Sequence, residues 1–299
     1  GITHHQLEKI SSFVTAPCAI RREKFQREDM TFACRNDLIM RRMEEVVMKK
    51  ETIRGLNGYD IPCVNNLSGG ERRIVIISHG LGSSKESPTA KSMAAALSEH
   101  SIGTFSFDFP AHGDSPVDGE LLRIPNCLND LSAVETHVRE LGPEADIAYF
   151  SSSFGAYINL IYLATRTPAG KKSFLRCAAV DMPGLFRNST SPEQYTQLKE
   201  QGYIIPDFDY LRPLKITREF YDDLEMHDVF KLCRPDMALI GMIHGDADET
   251  ASVVDARRFS QQFGARLTEV KGADHRIMTP GGLKQVIATA VRFFTAKED

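Results

Sequence analysis

Three serines lie between two apolar runs, in Phe150-Ser151-Ser152-Ser153-Phe154-Gly155-Ala156. A serine hydroxyl becomes a nucleophile when a tight strand-to-helix turn exposes its oxygen and an imidazole stands ready to take its proton. Strand and helix backbones nearly touch at such a turn, so the residues two before and two after the nucleophile must be small. Gly155 meets the second requirement for Ser153, and Ser151 then fills the position two before. Glycine is usual at both places, so Ser151 is a departure. A plainer reading is a serine-rich turn in which Ser153 only caps the next helix.

Three more segments could supply the partners. The first is Ser78-His79-Gly80-Leu81-Gly82-Ser83-Ser84, a glycine loop directly after an apolar run. By position, the Leu81 N–H joins that of Phe154 as a two-donor oxyanion hole. The second is His244-Gly245-Asp246-Ala247-Asp248-Glu249, where Asp246, Asp248 and Glu249 are all candidates to orient a histidine. The third is Gly272-Ala273-Asp274-His275-Arg276, which offers His275 as the base. Taken singly, these are a flexible loop, a solvated charge and an ordinary histidine. Taken together they predict acyl transfer through a covalent serine intermediate.

The elements needed to bring these residues together can be read from the periodicity. Arg73–Ser78 reads as a strand buried on both faces, and Ile102–Phe107, Ala145–Phe150, Met237–Ile243 and Ala265–Val270 as further strands, with another strand starting at Cys177–Val180. Helices are expected at Thr89–Glu99, Cys127–Leu141 (with a cap at Asn126), Ala156–Thr165, Ser252–Phe263 and Gly281–Phe294. Val46–Ile53 and Leu56–Pro62 read as a hairpin turning at Asn57-Gly58. This alternation predicts an α/β fold with a mostly parallel central sheet flanked by helices. Residues 46–184 and 236–299 form the expected core, and 185–235 an inserted helical cap. Residues 1–45 are expected to be an N-terminal helical extension: an arm of a homodimer, a cover on the sheet edge, or a tail without consequence.

A net charge of -4 gives no reason to expect nucleic-acid or membrane-surface binding, and no apolar run is long enough to span a membrane. Cys18, Cys34, Cys63, Cys127, Cys177 and Cys233 are scattered without a Cys-x-x-Cys pair, which reads as reduced thiols in a cytoplasmic protein. The opening Gly-Ile-Thr-His-His does not read as a signal peptide. No metal-ligand spacing is present, so neither metal nor organic cofactor is expected.

The order serine, acid, histidine, each after a strand, is that of the α/β-hydrolases. From about Lys49 onward the chain resembles that superfamily, and within it the small bacterial cinnamoyl or feruloyl esterases. The resemblance rests on His79-Gly80-Leu81-Gly82-Ser83-Ser84-Lys85, Phe107-Asp108-Phe109-Pro110-Ala111-His112-Gly113-Asp114-Ser115, the turn at Ser153, His244-Gly245 leading to Asp248, and Gly272-Ala273-Asp274-His275. It implies a serine esterase for a small-molecule ester, with Asp248 as the acid and the Leu81 and Phe154 N–H groups as oxyanion donors. Ala111 stands where the family often has glycine, as Ser151 does at the turn. A thioesterase or acyltransferase would share this set, and a catalytically silent binding protein could retain it. The aromatics Tyr195, Tyr203, Phe208, Tyr210, Phe220, Tyr221 and Phe230 are expected either to face the substrate or to pack the cap's own small core.

Overall fold

Ile74 and Ile76 face one side of a sheet, Val75 and Ile77 the other, and all four are buried. A strand covered on both faces needs such an unbroken apolar run. The structure is a computed structural model, and it describes residues 48–207 and 210–296. The expected helix over residues 1–45 lies outside the described residues.

Eight strands form the main sheet: β1 (Lys49–Arg54), β2 (Asp60–Asn66), β3 (Arg73–Ser78), β4 (Ile102–Phe107), β5 (Asp146–Ser152), β6 (Lys172–Arg176), β9 (Leu239–Gly245) and β10 (Arg266–Val270). Their order is β1-β2-β4-β3-β5-β6-β9-β10. The β1–β2 and β2–β4 pairs are antiparallel and the other five parallel. From β3 the chain moves outward to β4, then returns to lay β5 on the other side of β3. The carboxyl ends of β3 and β5 therefore flank a point where strand order reverses, the usual crevice for a ligand in such sheets.

Helices cover both faces. On one side, α1 (Pro88–Ser98) and α9 (Gly282–Thr295) bury Met93, Leu97, Val286 and Phe294 against Val75, Ala148, Phe150 and Phe174. On the other, α2 (Ile124–Leu141), α3 (Phe154–Thr165) and α8 (Val253–Phe263) pack Leu131, Ile158 and Phe259 with Ile76, Phe105 and Tyr149. Between β6 and β9 the chain forms α4 (Met182–Ser189), α5 (Pro192–Gln201), the paired two-residue strands β7 (Tyr203–Ile204) and β8 (Ile216–Thr217), α6 (Arg218–Met226) and α7 (Val229–Leu232). Ser191 and Gln194 close a capping box on α5, and the Thr217 side chain caps α6.

Some boundaries differ from expectation. The strand expected to start at Cys177–Val180 is Lys172–Arg176 instead, and the four apolar residues after it form a buried loop. Helix α2 begins at Ile124, so Asn126 lies within it and donates to the Leu121 carbonyl rather than capping. The hairpin is shifted: β1 starts at Lys49 and β2 runs on through Pro62 to Asn66, with Gly58 at φ 85° in the turn. Cys63, Cys127, Cys177 and Cys233 are buried free thiols, while Cys18 and Cys34 lie outside the described residues. Among the described residues no helix is long and apolar enough to cross a membrane.

The hairpin docks on α2 through a buried carboxyl. Asp130 is fully buried and accepts from the Tyr59 hydroxyl at 2.9 Å and the Asn57 amide at 3.4 Å. Burial outweighs those two hydrogen bonds and pushes its pKa up to about 7. In the unfolded chain an aspartate titrates near about 4. As pH rises from about 4 to about 7 the unfolded state therefore loses its proton first, and stability falls across that window. Asp130→Asn is expected to raise Tm relative to the parent, by more at pH 8 than at pH 5. Thermal melts giving the same Tm difference at both pH values would overturn this.

Candidate active site

Ser153 is the hinge between β5 and α3. Its backbone has φ 50° and ψ -113°, a conformation that L side chains rarely adopt. Such strain costs on the order of 1–3 kcal/mol and must be held by its surroundings. Here the Ser153 N–H donates to the Arg176 carbonyl at 2.9 Å, and its carbonyl accepts from the Tyr157 N–H at 3.1 Å. Gly155 is required by contact: a Cβ there would lie 2.5 Å from the His79 carbonyl oxygen and 2.7 Å from that of Ser78. Ser151 is fully buried in β5, and its Oγ has no hydrogen-bond partner among the described residues.

The histidine and acid meet this serine. His275 Nε2 lies 2.9 Å from Ser153 Oγ, and His275 Nδ1 lies 2.8 Å from Asp248 Oδ2. The other carboxylate oxygen of Asp248 accepts from the Thr250 N–H at 2.9 Å and the Ala251 N–H at 2.8 Å. Burial would raise the Asp248 pKa, but hydrogen bonds from His244 and His275, the charge of His275 and the Ala251 N–H hold it well below the usual carboxylate range. Of the alternatives, Asp246 accepts from the Gly272 N–H at 2.5 Å, and Glu249 is exposed. An imidazole placed in this way can take a proton from the hydroxyl at Nε2 while Nδ1–H stays on the carboxylate.

The loop after β3 lies against the same serine. A Cβ on Gly80 would sit 3.3 Å from Ser153 Cβ and 4.0 Å from its Oγ. Phe109 N–H donates to His79 Nε2 at 3.1 Å, so the proton of His79 is on Nδ1, which donates to the Gly80 carbonyl at 2.8 Å. Burial lowers the His79 pKa to about 4, so the ring stays neutral. Fixing the Gly80 carbonyl fixes its peptide plane, and with it the direction of the Leu81 N–H. Among the described residues no backbone carbonyl accepts from the Leu81 or Phe154 N–H. The loop is also anchored from behind. Lys85 Nζ reaches Asp108 Oδ2 at 2.8 Å and Asp114 Oδ2 at 2.6 Å, and the Lys85 N–H donates to Asp108 Oδ1 at 2.7 Å. Ala111 has φ 66°, which accounts for the preference for glycine at that place in the family it resembles.

The sequence profile described as "Serine aminopeptidase, S33" matches residues 69–222, more than half of the chain. The chain belongs to this family of α/β-hydrolases. Solved structures agree on the fold. A putative hydrolase from Agrobacterium vitis S4 superposes with a TM-score of 0.70 at 19% identity, over 81% of this chain and 97% of that one. Est1E from Butyrivibrio proteoclasticus, solved with ferulic acid bound, gives 0.69 at 19% identity over 82% and 97%. Mouse alpha/beta hydrolase domain-containing protein 10 gives 0.66 at 14% identity over 81% and 96%. No curated protein sequence matches the chain.

In this α/β-hydrolase a cavity of about 1520 Å³ opens at Ser153, Asp248 and His275. That volume exceeds that of a typical small-molecule pocket. Of the aromatics singled out in the sequence, Tyr210 and Tyr221 line it, joined by Phe186. The rest pack elsewhere: Phe220 is buried against Phe154 and Phe186, half-buried Phe230 packs against Phe259 and Phe263, half-buried Tyr203 lies under Lys215, and Tyr195 is exposed. Phe208 lies outside the described residues. Tyr210 rests on the glycine loop so closely that a Cβ on Gly82 would be 1.9 Å from its ring, and the Leu211 N–H donates to the Gly82 carbonyl at 3.1 Å.

Sequence reasoning gave His244 no role of its own. It is fully buried, with Nε2 2.8 Å from the Ala251 carbonyl and 3.1 Å from Asp248 Oδ2. Both neighbours are acceptors, so Nε2 carries the proton and gives Asp248 a second imidazole N–H. The only hint was its spacing of four residues from Asp248, which at a strand end implies no contact. Cys177 Sγ also lies within 4.8 Å of donor atoms of Asp248 and His275, a grouping that could hold a metal. Burial pushes that thiol up to about 11, which keeps it protonated and a poor ligand.

Proposed function

We propose that this α/β-hydrolase cleaves carboxylic esters through an acyl-enzyme, with Ser153 as nucleophile, His275 as base, Asp248 as its orienting acid, and the Leu81 and Phe154 N–H groups as the oxyanion hole. Ser153 Oγ attacks the ester carbonyl while its proton passes to His275 Nε2. The carbonyl oxygen takes up the negative charge between the two N–H groups. As the tetrahedral species collapses, the C–O bond to the alcohol breaks and His275 returns its proton to the leaving oxygen. Water then enters, gives a proton to His275 and releases the acid by the same steps in reverse. The observation that carries this reading is the continuous contact from Ser153 Oγ through both ring nitrogens of His275 to Asp248. In this reading residues 185–235 serve as a cap, with Phe186, Tyr210 and Tyr221 presenting aromatic faces to the acyl or alcohol group.

The description of its family favours a second reading, cleavage of an amide at a peptide amino terminus. One experiment addresses both. A fluorophosphonate probe is expected to label the protein at Ser153. A panel of p-nitrophenyl esters, acyl thioesters and aminoacyl p-nitroanilides then ranks the acyl donors, with esters expected to have the highest kcat/KM. Absence of labelling at neutral pH would sink the covalent mechanism and favour a silent binding protein. A higher kcat/KM on anilides or thioesters would replace the ester assignment.

A further inference from the structure

Arg176 is the last residue of β6, and its carbonyl accepts the Ser153 N–H, so it stands beside the proposed nucleophile. The side chain is half-buried and lines the cavity. Among the described residues its one side-chain hydrogen bond runs from Nη2 to the Arg276 carbonyl at 2.6 Å, and its buried Nε has no partner there. Among the described residues no carboxylate lies within ion-pair distance of it. A permanently charged guanidinium drawn out of water is normally paired, because an uncompensated charge is expensive to desolvate.

The carboxylates that line the same cavity are engaged or placed elsewhere. Asp248 faces two histidines, Asp181 caps α4 by accepting from the Gly184 N–H, and Asp274 accepts from the Met278 N–H. Asp255 sits in the first turn of α8, where the helix dipole favours an acid, and Glu249 is exposed. Arg176 is thus a cation at the reacting end of the cavity with donors to spare, and the planar guanidinium fork matches a carboxylate.

We infer that Arg176 is a specificity-determining residue that binds a carboxylate carried by the substrate, so that the preferred esters are anionic ones such as half-esters of dicarboxylic acids. This deepens the ester-hydrolase reading and rests on it.

The test compares esters of equal length that differ in charge. The mono-p-nitrophenyl ester of adipic acid is set against p-nitrophenyl hexanoate for an anion on the acyl side. The hexanoate ester of 4-hydroxybenzoic acid is set against phenyl hexanoate for one on the alcohol side. In at least one pair the unaltered protein is expected to favour the anionic ester, with that preference falling several-fold between 20 mM and 500 mM NaCl. Arg176→Gln is expected to cut the anionic-to-neutral ratio of kcat/KM at least tenfold, and Arg176→Lys to retain part of it. The ratio cancels any common loss caused by releasing the Arg276 carbonyl next to His275. Turnover of the neutral esters with no preference in either pair, or a ratio unmoved by salt and by Arg176→Gln, would overturn the inference while leaving the hydrolase reading intact. Failure of the unaltered protein on all four esters would remove both.

Discussion

Ser153→Ala is expected to lower kcat on the best ester by roughly 10⁵-fold or more, the scale seen when a triad nucleophile is removed. The loss should be in turnover, because the cavity walls and the oxyanion donors remain and KM has no reason to rise steeply. Fold stability gives an independent check. Alanine at 153 inherits the same left-handed backbone, φ 50°, so its Tm should stay close to that of the parent. Ser153→Gly removes the Cβ that makes this conformation costly and is expected to melt higher, part of the strain of about 1–3 kcal/mol being relieved. A folded Ser153→Ala variant retaining more than a hundredth of the parent kcat would place the nucleophile elsewhere.

Asp248→Asn is expected to cost about 10⁴-fold in kcat, and the local hydrogen bonds say why. The Thr250 and Ala251 N–H groups both donate to Oδ1, so that position must remain an acceptor. The asparagine carbonyl oxygen is therefore held there, and its NH₂ group takes the place of Oδ2, facing His275 Nδ1 and His244 Nε2. Two donors now meet. His275 can accept from the amide only by moving its own proton to Nε2, where it faces Ser153 Oγ and cannot act as a base. The heavy atoms are expected to stay in place while turnover falls. Steady-state kinetics with a structure of the variant decide the matter: unchanged geometry with a loss below tenfold would contradict the role given to Asp248.

Much of this arrangement was legible in the chain itself. The buried strands β3, β4, β5 and β9 carry apolar runs, and each proposed catalytic group falls just beyond a strand, where the alternation of elements must bring the loops together. Strand β6 was misplaced because its apolar content is only Phe174 and Leu175 between Lys172, Ser173 and Arg176. The more apolar Cys177-Ala178-Ala179-Val180 that follows is a buried loop, three of whose residues line the cavity. Hydrophobicity records burial and does not separate a strand from a loop packed inside. The contacts of His244, Arg176 and Lys85 were unreadable for a different reason. Each depends on which way a side chain points across a gap between two loops, and no periodicity encodes that. The aromatic residues of 185–235 show the same limit, since of those singled out and described only Tyr210 and Tyr221 line the cavity.

The seating of Tyr210 on Gly82, with the Leu211 N–H on the Gly82 carbonyl, has a consequence for changing what this protein acts on. The stretch proposed to shape the substrate space and the loop proposed to stabilise the oxyanion are fastened to each other. Selectivity and speed are therefore not separate modules. Transplanting residues 205–214 from a relative would slow the chemistry as well as redirect it, unless the glycine loop at 80–84 were exchanged along with them.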